Sequence, residues 1–164
     1  MGFDEMVADF AVRRGIPGGL VPDANRQVRW TIRGDGDGND VDFVCREIPM
    51  YMATFIKARV CPLPVAGTAQ FTAEMMRANY HCRGTAGGTL SIDDEGVVYA
   101  HFIFGTPLLS GETLDQDIDD FAEMVRRWRR LAGEYEKVYS DEQEPAVPPS
   151  DDDIWLGLTG FITV

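Results

Sequence analysis

Carboxylates, imidazoles and thiols are the side chains in this chain that could do chemistry, and each falls in a pattern with a known requirement. Asp35, Asp37 and Asn39 match the first three ligand positions of a calcium-binding EF-hand loop. The sixth position is Asp40 where that loop needs glycine, and the twelfth is Arg46 where it needs a bidentate glutamate. Gly34 to Asp40 therefore reads as the polar connection of a hairpin, for which Gly, Asp and Asn are favoured residues, with calcium binding as the alternative. The two histidines, His81 and His101, have no partner in local sequence that would make a nucleophile or a general base. His81 adjoins Cys82, but neighbours on a helix point about 100° apart and no second ligand pair stands at zinc spacing. The three cysteines, Cys45, Cys61 and Cys82, are odd in number and form no C-x-x-C pair. Gly84, Gly87 and Gly88 follow a helical pattern and precede a strand, the reverse of the dinucleotide-binding context. The expectation is a chain without catalytic residues, metal or cofactor: a binding module and not an enzyme.

A length of 164 residues fits one domain that buries about two-thirds of its unfolded surface. With 45% hydrophobic and 26% charged residues the composition is that of an ordinary globular protein. The net charge of −12 repels phosphate backbones and anionic bilayers, so nucleic acid and membranes are excluded as partners. No secretory leader and no apolar run long enough to span a bilayer is present, and the expected compartment is the cytoplasm. Arg126, Arg127, Arg129 and Arg130 follow an acid-rich segment on one long helix, an order that complements the helix dipole.

Alternation and periodicity place the elements. Phe3, Met6, Val7 and Phe10 share one side of a short helix that Gly15, Pro17, Gly18 and Gly19 stop. Gln27 to Arg33 alternates as a strand, with Val28, Trp30 and Ile32 on one face, and Val41, Phe43 and Cys45 form the return strand. A third strand is expected from Tyr51 to Val60, with Met52, Thr54, Ile56, Ala58 and Val60 on one face and Phe55 opposite. Thr68 to Cys82 has helical spacing. Thr89 to Ile92 and Val97 to Phe104 make a hairpin around Gly96, its second strand apolar on both faces, as suits a central strand or one covered by a second subunit. From Thr113 to Val138 an apolar stripe predicts a long helix, with Thr113 and Gln116 as its capping box. The fold class is α+β: an antiparallel sheet with helices packed on it, in the order α-β-β-β-α-β-β-α. Residues 1–140 form the domain, and 141–164 an acidic linker ending in the apolar IWLGLTGFITV. Two readings of that tail stand: a segment that docks on its own body or fills a groove until displaced, and an unstructured end.

This order, with the local phrases ADFAVRRGIPGGLVPDANRQVRWTI, FTAEMMRANYHC, GGTLSIDDEGVVYAHFIF and LDQDIDDFAEMVRRWRRL, resembles the class I chaperones of type III secretion effectors, the Tir-chaperone family. The resemblance covers residues 3 to about 135. It implies a cytoplasmic homodimer that holds the N-terminal segment of a secreted effector extended and secretion-competent, without ATP. Such holding needs apolar patches and sheet edges, for which Phe3, Met6, Val7, Phe10, Val28, Trp30, Ile32, Phe43 and Met52 are the candidates, with membership of the protomer core as the competing role. The family's dimer contact maps onto Met75, Met76, Tyr99, His101 and Ile103. A YbjN-like regulatory module of the same fold is the alternative, and a small enzyme using Cys and His residues is a third.

Overall fold

The computed structural model describes residues 2–36, 39–81 and 84–141. Its elements are α1 (Phe3–Arg13), β1 (Gln27–Ile32), β2 (Val41–Ile48), β3 (Ala53–Pro62), α2 (Thr68–His81), β4 (Thr89–Ile92), β5 (Val97–Gly105) and α3 (Gly111–Asp141). Single 3-10 turns, Pro49–Tyr51 and Thr106–Leu108, precede β3 and follow β5. The predicted α+β order is therefore present, and the five strands pair antiparallel in the order β1-β2-β3-β5-β4.

Alternation decides which side of the sheet is covered. Val28, Trp30, Val41, Phe43, Cys45, Ile56, Ala58, Val98, Ala100 and Phe102 are buried in one core with Phe3, Phe10, Phe71, Leu114, Ile118 and Val125 of the helices. The alternate set, among it Arg29, Val44, Arg46, Phe55, Lys57, Arg59, Tyr99, His101 and Ile103, stands on the other face, which no described helix covers. β5 thus owes its two-sided apolarity partly to a central position between β3 and β4 and partly to apolar residues on that open face.

Two boundaries differ from the sequence expectation. Met52 is not a strand residue: it closes the 3-10 turn begun at Pro49 in a left-handed conformation, φ 47°, with its side chain 70% exposed. α3 begins before Thr113, at Gly111, because Ser110 caps it: the Thr113 N–H donates to Ser110 Oγ at 3.0 Å. Gly111 sits so close to α1 that a Cβ would lie 2.6 Å from the Phe10 nitrogen, so the start of α3 is fixed by tertiary approach. Cys82 and residues 142–164 lie outside the described residues, and the expectations for the tail with them.

The arginines of α3 do more than offset a dipole. Arg126 donates to the carbonyls of Asn39 and Arg33, and Arg129 to those of Val60, Asp40 and Arg59. They tie the helix to the ends of β1, β2 and β3, where carbonyls leave the ladder.

Candidate functional site

A sheet has two edges, and those of this sheet are unlike. β4, at one side, is four residues long, and α2 closes it: the Asn79 carboxamide donates from Nδ2 to the Leu90 carbonyl at 2.9 Å, and the Leu90 N–H donates to Asn79 Oδ1 at 2.8 Å. The side chain thus does for Leu90 what a neighbouring strand would. β1, at the other side, pairs only with β2. Asp23 accepts from the Gln27 N–H and donates its own N–H to the Gln27 carbonyl, and beyond that point no described group bonds the outer backbone edge from Val28 to Ile32. An extended segment of another protein could add there by main-chain hydrogen bonds.

Near the ends of β3 and β5 lies an exposed apolar rim. Met50, Tyr51, Met52, Ile103 and Leu108 are all at least two-thirds exposed, and the Thr106 N–H donates to the Met52 carbonyl, which joins the two 3-10 turns. Methionines in such a rim fit apolar partners of varied shape. A second apolar groove, of about 380 Å³, runs between the end of α1 and the loop after it, lined by Ala8, Ala11, Val12, Ile16, Leu20 and Val21.

The open face between the edges has its own electrostatics. Lys57 Nζ stands 3.5 Å above the Tyr99 ring centroid, and Phe55 packs against His101 at 5.1 Å between ring centroids. Burial first, and Lys57 second, hold His101 below its ordinary value. Asp93 is held below the usual carboxylate range chiefly by the Val97 N–H, which donates to it. Burial pushes the thiols up, Cys45 to about 12 and Cys61 to about 11, so both stay protonated and unreactive at neutral pH.

The side chains expected to meet a partner are distributed unevenly. Phe3, Met6, Val7, Phe10, Val28, Trp30 and Phe43 are inside the core; the Phe10 ring tilts against Trp30 at 5.0 Å between centroids, and Trp30 stacks on Phe43 at 5.6 Å. In the protomer all seven pack in the core: the apolar face of α1 lies against α3, and Val28, Trp30 and Phe43 face the helices from the sheet. Ile32 is half-buried on β1, and Met52 is exposed in the rim. Among the residues expected in a dimer contact, Met75 is buried, Met76 is exposed on α2, and Tyr99, His101 and Ile103 lie on the open face of the sheet. Met50 was among the methionines that could line a peptide surface by sequence, whereas Tyr51, Leu108 and Asn79 were not singled out; the Pro49 and Pro107 punctuation flanking two apolar clusters was the available signal for the rim. Among the described residues no cluster of His, Cys, Asp or Glu could hold a metal ion, and no helix is long and apolar enough to cross a membrane.

No family model matches the chain, and no curated protein matches it. Solved structures do. A chain of the HopA1-SchA chaperone-effector complex superposes with TM-score 0.59 at 17% identity, over 76% of this chain and 91% of that one. A chain of the ExsC-ExsE complex does so with TM-score 0.63 at 19% identity, over 79% and 92%. The structure of the Yersinia pestis type III secretion chaperone SycH with a fragment of YscM2 matches with TM-score 0.60 at 12% identity, over 77% and 98%. At these identities the shared property is the fold.

Proposed function

We propose that this protein is a type III secretion chaperone that binds the N-terminal segment of an effector and keeps it extended and competent for export. One observation carries the reading: a fold found in chaperone-effector complexes here has one sheet edge closed by Asn79 and the other, β1, left open beside Ile32. A guest strand adds to β1 through its main chain, while its side chains use the apolar rim of Met50, Tyr51 and Met52 and the groove beside Val12 and Val21. Main-chain pairing binds an extended segment whatever its sequence, and the pockets select among segments. Holding by surface contact requires neither ATP nor a catalytic group. The protein acts in the cytoplasm, as a homodimer joined through the exposed Met76 side of α2.

The test is capture of the tagged full chain from its native cytosol, followed by hydrogen exchange on the complex. A stoichiometric partner, bound through a segment near its own N-terminus, together with new protection of the outward-facing Arg29 and Thr31 amides, supports the reading. A partner bound without protection at β1 would move the site elsewhere. Recovery of the protein alone while secretion is active would favour a regulatory module of the same fold.

A further inference from the structure

The open face of the sheet has a charge opposite to that of the molecule as a whole. Net charge is −12, yet this face carries the four cations Arg29, Arg46, Lys57 and Arg59 against the acids Asp42 and, beside Lys57, Asp93. None of the four makes a salt bridge among the described residues, whereas Arg13, Arg14, Arg26, Arg77, Arg126 and Arg130 all do. Register orders them beside apolar groups: Arg46 lies opposite Phe55, which lies opposite Ile103, and in the next row Arg29, Val44, Lys57 and His101 follow one another. The face is therefore cationic and apolar in adjacent patches.

One segment of the chain has the complementary order. Residues 142–164 read EQEPAVPPSDDDIWLGLTGFITV, in which the acids Asp151, Asp152 and Asp153 run directly into Ile154, Trp155 and Leu156. The segment leaves α3 near the right place. Tyr139 packs on Gly67 and the Ala66 N–H donates to Glu136, so α3 ends beside the loop that follows β3, and Arg59 stands near that end of β3. Ten residues from Asp141 to Asp151 reach up to about 33 Å, against roughly 20 Å for the width of five strands. A second copy offering the same face would set a net excess of cations against the same excess, which disfavours it as the occupant.

We infer that residues 142–164 dock on the open face of their own sheet, the acids against Arg29, Arg46, Lys57 and Arg59 and the Ile154-Trp155-Leu156 run on Phe55 and Ile103. The tail is then an internal stand-in for a client, displaced by one with the same acidic-then-apolar chemistry. The displacement rests on the chaperone reading; the docking does not.

The chain has two lysines, Lys57 on this face and Lys137 near the end of α3, which makes a zero-length cross-link decisive. The full chain, mixed as equal parts of ¹⁴N and ¹⁵N protein, is treated with a carbodiimide and digested for mass spectrometry. Docking predicts amides between Lys57 and the carboxylates of residues 142–153 within peptides of one isotope, reduced at least fivefold in Arg46→Ser/Arg59→Ser, which leaves every carboxylate in place. Cross-links from Lys137 to neighbouring carboxylates, with none from Lys57 to the tail, overturn the inference. Mixed-isotope Lys57 links overturn it too, and assign the face to a second copy. In a purified client complex, loss of the Lys57 links supports displacement. Their persistence with client bound overturns displacement and leaves docking intact.

Discussion

Asn79 and Leu90 form a two-way hydrogen-bonded pair, side chain to main chain, in which one carboxamide satisfies both backbone groups of a residue on an edge strand. Removing the carboxamide leaves a half-buried donor and acceptor without their partner. Asn79→Ala is expected to lower stability by about 1–3 kcal/mol. Amide exchange at Leu90 should accelerate more than at Val98 or Ala100 in the strand's interior neighbour, as measured by NMR. Unchanged exchange at Leu90 would show that the pair contributes nothing to closing the edge.

Core and rim make opposite predictions for substitution. Phe10 is fully buried against Trp30, so Phe10→Ala should cost about 3–5 kcal/mol, with a fall in urea midpoint. Met50 is 83% exposed, so Met50→Asp should change stability by no more than about 0.5 kcal/mol, while on the proposed function it weakens binding of a captured partner several-fold by calorimetry. Equal affinity for Met50→Asp and the native chain would remove the rim from the site.

Arg129 serves three carbonyls through a planar fork, which an ammonium cannot reproduce. Arg129→Lys, with its charge retained, is expected to lose roughly 2 kcal/mol, on the scale of a single hydrogen bond to a charged group. Thermal denaturation checks this. A melting point equal to that of the native chain would mean that charge alone holds α3 to the strand ends.

His101 gives the molecule a pH dependence of known sign. Its folded value lies below 6.5, by burial first and Lys57 second, so the unfolded chain binds the proton more readily. Its stabilising contribution is complete above about 6.5 and is lost as pH falls below that value towards the folded one. Neighbouring groups on the face are Lys57, Tyr99, Phe55 and the Ser91 hydroxyl, which bonds the ring. The urea midpoint should drop between pH 7.5 and 5.5, and drop less in His101→Gln. Equal drops would assign the effect to other groups.

Much of this architecture could be inferred from the chain alone. Strict alternation around Trp30 and the Gly96 turn placed β1, β4 and β5, because period and turn chemistry are local properties. Met52 misled because its spacing to Thr54 and Ile56 continues the strand pattern, whereas its backbone follows the Pro49 turn. The capping of α3 misled because Ser110 and Thr113 are both able caps three residues apart, and the choice depends on Gly111 meeting Phe10, a contact distant in sequence. The site was least legible. Periodicity identifies an apolar face on α1 but does not say whether a helix of the same chain or a foreign segment covers it, and here α3 does. Asn79 on α2 reveals nothing of Leu90 until the two are folded together.

Sheet growth is a polymerisation, and Asn79 closes one of its ends. A cross-β filament elongates because each newcomer offers a fresh edge to the next. Here the β4 edge is already occupied by a side chain, which confines growth of the sheet to the β1 side. With one terminus capped, the sheet can be extended in one direction and not in two.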